Sequence, residues 1–257
     1  MHPANDRTHG DSTAMFLRVR RLGRRGYADG CALQERAARA VAAGEPDELL
    51  FVEHAAVITI GRGSTPEQIL ATPADLAEAG IAITDTDRGG GATYHGPGQI
   101  IGYPIIDLRR RGIGVRSYLR ALEGALLMAL RSEGVDAFVR PSLTGVWTDA
   151  GKLASIGIAV RGGITRHGFA LNVSPDLEAF RRIVPCGLPY PVTSLRKLGW
   201  HGDQKALCAG IAEGLDSSLG ASPRPPRNRA SARDERVGRV ANAACGPAAA
   251  EGASTHV

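Results

Sequence analysis

Residues Arg88–Gln99 combine glycines with side chains that can bind a ligand, in the order Arg-Gly-Gly-Gly-Ala-Thr-Tyr-His-Gly-Pro-Gly-Gln. Glycine lets a backbone approach a ligand closely and adopt positive φ, and successive exposed N–H groups can hold an oxyanion or a carbonyl oxygen. The segment lacks the spacing of a dinucleotide fingerprint, and no Gly-Lys-Ser/Thr closes it, which argues against a phosphate loop. Two interpretations remain from the residues alone: a glycine-rich turn between strands, or a ligand-binding loop whose donors are Arg88, Thr93, Tyr94, His95 and Gln99.

Lys152 lies in the sequence Gly-Lys-Leu-Ala-Ser-Ile-Gly, residues 151–157. A lone lysine after a turn is usually a solvated surface group. Apolar residues follow this one, so the pattern predicts that Lys152 leads into a buried strand. Ser155 and Gly157 place a small side chain and open backbone nearby.

Cys186 lies in the sequence Pro-Cys-Gly within a proline-rich stretch, which would hold a thiol rigidly and leave it accessible. A thiol becomes a useful nucleophile only when its pKa falls, and a nearby ammonium has that effect. Chemistry alone leaves catalysis and simple burial equally open for this residue. The other cysteines are interpreted as inert: Cys31 and Cys208 as small buried hydrophobes on helices, and Cys245 in the C-terminal tail.

No metal site is predicted. The four cysteines include no Cys-x-x-Cys pair, and His54, His167 and His201 show no shared spacing. These spacings argue against a zinc site or a disulfide framework. His95 keeps two interpretations, because it could hydrogen-bond backbone to fix its loop or take part directly in proton transfer.

Three blocks of the sequence resemble, in order, the signatures of lipoyl(octanoyl) transferases, a family related to biotin and lipoate protein ligases. The blocks are residues 88–99, then 151–157 with His-Gly-Phe-Ala-Leu-Asn-Val at 167–173, then Val-Pro-Cys-Gly-Leu at 184–188 with Val-Thr-Ser-Leu at 192–195. Weaker similarity extends over roughly residues 15–215. Arg166 is a departure, since relatives usually carry an aromatic residue before His-Gly-Phe.

The resemblance implies that Cys186 carries an acyl group as a thioester and that Lys152 lowers the pKa of its thiol. It implies neither a cofactor nor ATP, because the donor of the acyl group in this family is already an activated thioester. The residues that it implies for the acyl pocket are Arg88, Gly89, Gly90, Gly91, Ala92, Thr93, Tyr94, His95, Ser155, Ile156, Gly157, Gly168, Phe169 and Ala170.

The implied reaction, a step of lipoate biosynthesis, moves an octanoyl group from octanoyl-acyl carrier protein to a lysine amine of a lipoyl domain. The implied acceptors are the lipoyl domains of 2-oxoacid dehydrogenases and the glycine cleavage H protein. Two alternatives are kept. An ATP-dependent lipoate or biotin protein ligase would use the same scaffold through an acyl-adenylate, and the pair of Cys186 and Lys152 argues against it. A non-catalytic acyl-carrier-binding protein would need the fold but not both reactive groups.

Composition and charge exclude several classes of protein. The chain has 257 residues, is 43% hydrophobic and carries a formal net charge of +5, which supports a sizeable core and is too mildly basic for a dedicated nucleic-acid binder. The polar start of the chain predicts no signal peptide, and no apolar stretch of about 18 residues or more would span a membrane. Free thiols suit a reducing compartment, so we expect a cytoplasmic protein without membrane or nucleic-acid partners.

Hydrophobic periodicity places these residues on an α/β scaffold. Neighbouring strands with few helices favour a mixed sheet over alternating βαβ units, and the resemblance implies a mixed β-sheet flanked by helices, like the catalytic domains of biotin and lipoate protein ligases. The strands at 48–54 and 56–60 are expected to pair with each other. Helices are predicted at 28–43, 72–80, 117–133 and 203–215, and strands at 15–22, 48–54, 56–60, 81–84, 100–107, 137–139, 145–148, 155–160 and 168–173.

Three segments are expected along the chain. Residues 14–218 are predicted to form the catalytic domain, and residues 1–13 a disordered N-terminus. Residues 219–257 are rich in Pro, Ala and Arg. Such a composition cannot bury enough apolar surface to order itself, so a disordered tail is predicted.

Overall fold

The structure of the chain is a computed structural model that describes residues 17–184 and 190–220. Its helices are α1 (Tyr27–Ala42), α2 (Pro73–Glu78), α3 (Leu108–Arg111), α4 (Val115–Ser132) and α5 (Gln204–Gly220), with short 3-10 turns at Pro66–Gln68 and Glu178–Arg182. Its strands are β1 (Arg18–Arg25), β2 (Glu48–His54), β3 (Val57–Ile60), β4 (Ala82–Asp85), β5 (Ala92–His95), β6 (Gln99–Ile105), β7 (Phe138–Arg140), β8 (Leu143–Thr148), β9 (Gly151–Arg161) and β10 (Ile164–Asn172).

The strands form two mixed sheets. The larger sheet has the order β1-β2-β6-β10-β9-β8-β7 and the smaller has the order β4-β3-β5. In the larger sheet β1 runs parallel to β2 and the other pairs are antiparallel, while in the smaller sheet β3 runs parallel to β4 and antiparallel to β5. The predicted α/β fold with a mixed sheet and flanking helices is confirmed.

Helices cover both faces of the larger sheet. One hydrophobic cluster joins α4 and α5 to the sheet through residues such as Leu126, Leu130 and Leu215. A second cluster joins α1 to the opposite face, with Val41 against Leu50 and Ile105. The amphipathic spacing of apolar residues in α4 accounts for its place in the first cluster, since one stripe of the helix faces the sheet.

The expected pairing of β2 with β3 is wrong. Both edges of β2 are occupied, by β1 and β6, and β3 lies in the smaller sheet between β4 and β5. Ala55 and Ala56 separate the two strands. A tight hairpin favours residues such as Asn and Gly that adopt positive φ, and two alanines do not supply them. The chain therefore passes from one sheet to the other at this point.

Local sequence signals predict the ends of helices better than they predict the pairing of strands. The helix predicted at 72–80 is α2. Thr72 accepts from the N–H of Asp75 and Asp75 accepts from the N–H of Thr72, which forms a capping box, and Pro73 occupies the first turn. Helix α5 continues through Gly220, and Leu219 is buried. Regular structure therefore extends two residues beyond the predicted boundary at 218, because Leu219 adds to the apolar face of α5. The remaining parts of the predicted terminal segments lie largely outside the described residues.

In the described part of the chain, no helix combines the length and apolarity needed to cross a membrane.

Candidate active site

A cavity opens where the glycine segment of the small sheet meets strands β6, β9 and β10 of the large sheet. The space between these segments, with the open solvent at its mouth included, is about 450 Å³. The residues that line it are Tyr27, Arg88, Gly89, Gly90, Thr93, His95, Ile101, Tyr103, Ser155, Ile156, Gly157, His167, Gly168, Phe169 and Ala170. The structure thus brings together three chain segments that the sequence analysis selected for an acyl pocket.

Strand alternation divides the predicted residues of β5. Thr93 and His95 line the cavity, whereas Ala92 and Tyr94 belong to the hydrophobic cluster behind the small sheet, where Tyr94 packs edge-on against Phe180. Successive side chains of a strand point to opposite faces, so all four residues of β5 could not face one ligand. The glycines around residues 92–95 favour a loop in the sequence, whereas the structure forms a strand there whose side chains alternate between two faces.

Arg88 holds the glycine loop rather than reaching out from it. Its guanidinium donates to the backbone oxygen of Gly91 at 2.8 Å and to the backbone oxygen and hydroxyl of Thr59 at 2.7 Å each. The side chain is buried, and a rigid fork of donors suits several acceptors fixed at once. Arg88 therefore ties the glycine loop to β3 at the wall of the cavity.

The glycine loop is seated directly against strand β9. The N–H of Gly89 donates to the backbone oxygen of Ile158 at 2.9 Å. A Cβ at Gly157 would lie 2.8 Å from the backbone oxygen of Gly89, closer than real Cβ contacts. Glycine at 157 is required by this close approach, which fixes the width of the cavity. Because the Gly89 N–H is used in this contact, Gly90 and Gly91 are the candidates in this loop for holding an oxyanion.

His95 is a neutral, buried imidazole. Burial lowers the pKa of His95 well below its ordinary value, and the positive charge of Arg88 adds to the effect. The side-chain N–H groups of Gln99 donate to Tyr94 and Asn172, which leaves Gln99 Oε1 to accept from His95 Nδ1 at 3.3 Å. This arrangement assigns the proton to Nδ1 and leaves Nε2 as the acceptor of the ring. The geometry is compatible with both interpretations of His95, a loop-fixing group and a proton acceptor.

A tyrosine–histidine pair lies beside His95. His54 Nδ1 donates to the backbone oxygen of Arg25 at 3.2 Å, so its Nε2 accepts from the Tyr103 hydroxyl at 2.6 Å. Burial lowers the pKa of His54 and raises the pKa of Tyr103. Tyr27 stacks on the His95 ring at 6.4 Å between centroids, and burial raises its pKa to about 12. Both tyrosines are therefore protonated hydroxyls on the cavity wall.

Sequence reasoning missed Tyr27, Ile101, Tyr103 and His167 as lining residues. Ile101 and Tyr103 alternate on β6, so period-2 spacing in the predicted strand was a usable signal. No comparable signal marked Tyr27, the first residue of α1. For His167 the sequence indicates only membership of a motif and no metal-ligand spacing with His54 or His201. In the structure the backbone of His167 has a φ of +56° and its Nε2 lies 2.7 Å from Asp87 Oδ1.

Lys152 lies inside β9, at its second position, and 7% of the residue is exposed. The sequence predicts a strand at 155–160 with Lys152 leading into it, and the structure begins the strand earlier, at Gly151. Its N–H donates to the backbone oxygen of Pro191 at 2.8 Å, and its backbone oxygen accepts from the N–H of Thr193 at 3.0 Å. The chain just after the interval 185–189 therefore runs alongside Lys152.

The chain just before that interval lies at the glycine segment. The N–H of Val184 donates to the backbone oxygen of Gln68 at 2.8 Å, and Gln68 Oε1 accepts from the N–H of Ala92 at 2.9 Å. Cys186 itself lies outside the described residues. The two described ends of its interval flank the site, one beside β5 and the other beside Lys152.

Arg166, the departure from the family pattern, pairs with α1. Its Nε lies 2.6 Å from Glu35 Oε1, and its Nη2 lies 3.2 Å from Glu35 Oε2. The residue is outside the set that lines the cavity. Arg166 therefore forms an ion pair between α1 and β10, next to the strained backbone of His167.

The chain was compared with known protein families and structures. The model of the lipoyl protein ligase A/B catalytic domain matches residues 26–207. The chain belongs to this family. Among relatives of the lipoyl protein ligase A/B family, octanoyltransferases from Solibacter usitatus and Geobacter metallireducens are 50% and 48% identical over 182 and 181 residues. These alignments cover 70% of this chain in both cases, and 83% and 82% of the two relatives. An octanoyltransferase from Geobacter sulfurreducens is 44% identical over 208 residues, which cover 79% of this chain and 85% of that relative.

Solved structures show the same fold. A putative lipoate protein ligase from T. acidophilum with bound lipoic acid superposes with a TM-score of 0.65 at 19% identity, covering 80% of this chain and 86% of that one. Lipoate-protein ligase A bound with ATP superposes with a TM-score of 0.60 at 19% identity, covering 79% of this chain and 85% of that one. At these identities the likeness concerns the fold, which is that of lipoate ligase catalytic domains.

Proposed function

We propose that this chain transfers an octanoyl group from an acyl carrier to a lysine of a lipoyl domain, through a thioester on Cys186. The chain is an acyltransferase that acts in protein lipoylation, as its 44–50% identity with octanoyltransferases over most of both chains supports. The finer assignments are ours: octanoyl-acyl carrier protein as donor, and the lipoyl domains of 2-oxoacid dehydrogenases and the glycine cleavage H protein as acceptors. A free catalytic thiol suits a reducing compartment, so the cytoplasm is the proposed location.

The observation that carries the mechanism is the position of the two chain ends around Cys186. The backbone N–H of Val184 donates a hydrogen bond to Gln68, beside β5, and the backbone oxygen of Pro191 accepts one from Lys152. Connectivity thus supports the assignment of Cys186 to the region between the glycine segment and Lys152.

In the first half of the reaction the Cys186 thiolate attacks the carbonyl carbon of the donor thioester. A new C–S bond forms to Cys186 and the C–S bond to the carrier breaks. The carrier thiolate takes a proton from the Lys152 ammonium and leaves as a thiol, so Lys152 becomes a neutral amine that can accept a proton in the second half. The Lys152 ammonium lowers the pKa of the attacking thiol by favouring its charged form. The N–H groups of Gly90 and Gly91 are the proposed donors to the oxyanion.

In the second half the lysine amine of the acceptor attacks the Cys186 thioester. A C–N bond forms, the C–S bond to Cys186 breaks, and the cysteine leaves as the thiolate from which the cycle began. The attacking nitrogen must lose a proton. Lys152 and His95 are the candidates to receive it, and the acceptor nitrogen Nε2 of the neutral His95 supports the second.

The acyl chain itself would occupy the cavity between the glycine loop and strands β9 and β10. Ile101, Ile156 and Phe169 contribute apolar surface to its wall, and Ser155, Gly157, Gly168 and Ala170 leave room for a chain. Of the predicted binding residues, Gly91, Ala92 and Tyr94 are the ones that do not line this space. We assign Ala92 and Tyr94 to support of the wall instead of contact with the acyl group.

Transfer without nucleotide separates this proposal from a ligase on the same scaffold. The protein is incubated with octanoyl-acyl carrier protein and a lipoyl domain in the presence of apyrase and a metal chelator. Because the donor thioester already stores the free energy that the amide needs, we expect octanoylated lipoyl domain by intact mass at an undiminished rate. A strict requirement for ATP and magnesium would assign the chain to the ligases instead, and a lack of any transfer would favour a binding protein.

A further inference from the structure

Trp147 is the cross-strand partner of Lys152. Strands β8 and β9 pair Val146 with Ala154 and Trp147 with Lys152, so a β-bulge leaves Leu153 as the extra residue between the two pairs. Because side chains alternate along a strand, the bulge turns Lys152 rather than Leu153 to the face of Trp147. Leu153 is fully buried in the main hydrophobic cluster.

The Lys152 ammonium lies over the indole. Its Nζ is 5.2 Å from the centroid of the Trp147 ring, and both side chains are buried. An ammonium within about 6 Å of an indole face is attracted by the ring quadrupole, and the attraction grows when water is excluded. The ring face of Trp147 therefore attracts the Lys152 ammonium and fixes its position.

Gly145 makes room for this arrangement. A Cβ at this position would lie 2.9 Å from Lys152 Cε and 2.5 Å from the backbone oxygen of Ala154, and its φ is +127°. The hydrocarbon stem of Lys152 therefore passes over a position that only glycine can occupy. Gly145 and Trp147 belong to the same short strand, so one strand both accommodates the stem and contacts the ammonium.

Two other charged groups face this pair of strands. The Glu123 carboxylate, on α4, accepts from the N–H of Gly145 at 3.2 Å and from Arg120. The Arg140 guanidinium, on β7, lies 4.7 Å from the centroid of the Trp147 ring. Changes to the Trp147 ring also alter its contact with Arg140, and this effect is present in both the wild-type and the Lys152→Ala backgrounds, so the comparison between the backgrounds isolates Lys152.

We propose that Trp147 is a positioning residue for acyl transfer, whose indole face holds the Lys152 ammonium in place so that it lowers the pKa of the Cys186 thiol. The inference rests on the proposed function, since it requires that Lys152 act on Cys186. Core packing alone would explain why Trp147 is buried. The proposal adds that its side chain has a measurable effect on the reactivity of Cys186.

The sharpest test keeps the shape of the ring and changes its charge distribution. Full-length protein is prepared with ordinary tryptophan and with tetrafluorotryptophan, which removes the negative potential of the ring face. Each form is made as wild type and as Lys152→Ala. The pH midpoint of iodoacetamide alkylation is then measured, with Cys186 alone counted by peptide mass. Trp200, the second tryptophan of the chain, is labelled in both backgrounds and cancels in the comparison.

We expect fluorination to raise the midpoint by about half a pH unit in wild type, a shift that follows from a cation–π attraction at a buried site. In Lys152→Ala the same labelling should leave the midpoint unchanged. A shift of equal size in both backgrounds, or none in wild type, would overturn the role of Trp147. If Lys152→Ala itself leaves the midpoint unchanged, the proposed function fails at its Lys152–Cys186 step, which is a separate result.

A second set of variants covers the packing role of the ring. Trp147→Phe keeps an aromatic face and Trp147→Leu removes it, while both shorten the side chain. We expect Phe to restore most of the wild-type midpoint and Leu to raise it, among molecules that remain folded by thermal melting. Equal midpoints for the two variants would overturn the proposal, because packing loss alone would then account for the effect.

Discussion

His167 Nε2 lies 2.7 Å from Asp87 Oδ1, so one hydrogen bond joins strand β10 to the residue that precedes the glycine loop. His167 reaches Asp87 from a backbone φ of +56°, which costs a residue other than glycine free energy. Burial lowers the pKa of His167, and Asp87 offsets only part of that effect. Burial alone would raise the pKa of Asp87, but the hydrogen bond from His167 and the charges of His167 and Arg161 hold it below its ordinary value.

Stability should fall as the pH drops from 7 to 5. His54, His95 and His167 have pKa values below their ordinary value of 6.5, mainly through burial. The unfolded chain therefore binds more protons than the folded chain below pH 6.5. Each histidine can contribute a slope of about 1.4 kcal/mol per pH unit in the interval below the unfolded pKa and above its own folded pKa.

Urea unfolding at pH 7 and pH 5 measures this effect. The depressed pKa of Asp87 stabilises the folded chain above about pH 4, so its loss lies below the interval used. His95→Gln keeps a polar side chain that cannot titrate, and we expect a shallower dependence on pH for it. A free energy of unfolding that stays constant or rises on acidification would contradict the assignment of neutral histidines.

Gly157→Ala should impair transfer more than it impairs folding. The added Cβ would meet the Gly89 backbone oxygen at 2.8 Å, so the glycine loop must move away from β9 and change the cavity. Gly124→Ala on α4 is the matched control, because no atom lies within 4 Å of its Cβ and alanine favours a helix by about 1 kcal/mol. We expect a fall in kcat/KM of about tenfold or more for Gly157→Ala and wild-type values for Gly124→Ala. Equal kinetics for the two variants would show that the loop does not set the cavity.

Local chemistry in the sequence was sufficient for several features of the fold. The cap at Thr72 and the stripe of apolar residues in α4 involve residues within a few positions of one another, so their signals are read directly. The glycines at 89–91 likewise indicated close approach of backbone, and the structure brings this loop onto β9. The predicted pocket segments lie together because the smaller sheet carries the glycine segment and the neighbouring strands β9 and β10 of the larger sheet carry the other two.

Long-range geometry could not be predicted in the same way. The separation of β2 from β3 depends on which strands occupy the edges of β2, and no local pattern records that. The bulge at Leu153 turns Lys152, instead of Leu153, to the face of Trp147. A period-2 pattern in the sequence does not reveal this change. Tyr27 reaches the cavity from the start of α1 because that helix crosses the sheet at this place. The three buried histidines show the same limit, because His54, His95 and His167 lie on the separate strands β2, β5 and β10.

The residues after Gly220 should be dispensable for the fold. Leu219 is buried against the core at the end of α5, whereas the composition of 221–257 predicts no packed face. A chain that ends at Gly220 should keep the wild-type Tm. A chain that ends at Ser218 lacks Leu219 and should lose about 2 kcal/mol of stability. Loss of stability or of acylation in the chain that ends at Gly220 would show that the tail contributes to the fold.

The formation of an acyl-enzyme on Cys186 tests the central claim most directly. Full-length protein is mixed with octanoyl-acyl carrier protein without acceptor, and its intact mass is recorded before and after treatment with hydroxylamine. We expect one octanoyl group per chain, located on Cys186 by peptide mass, removed by hydroxylamine and transferred to lipoyl domain when that is added. Cys186→Ser should carry no hydroxylamine-sensitive group, and Cys208→Ser should behave as wild type. A thioester on another cysteine, or turnover by Cys186→Ser at the wild-type rate, would contradict the account.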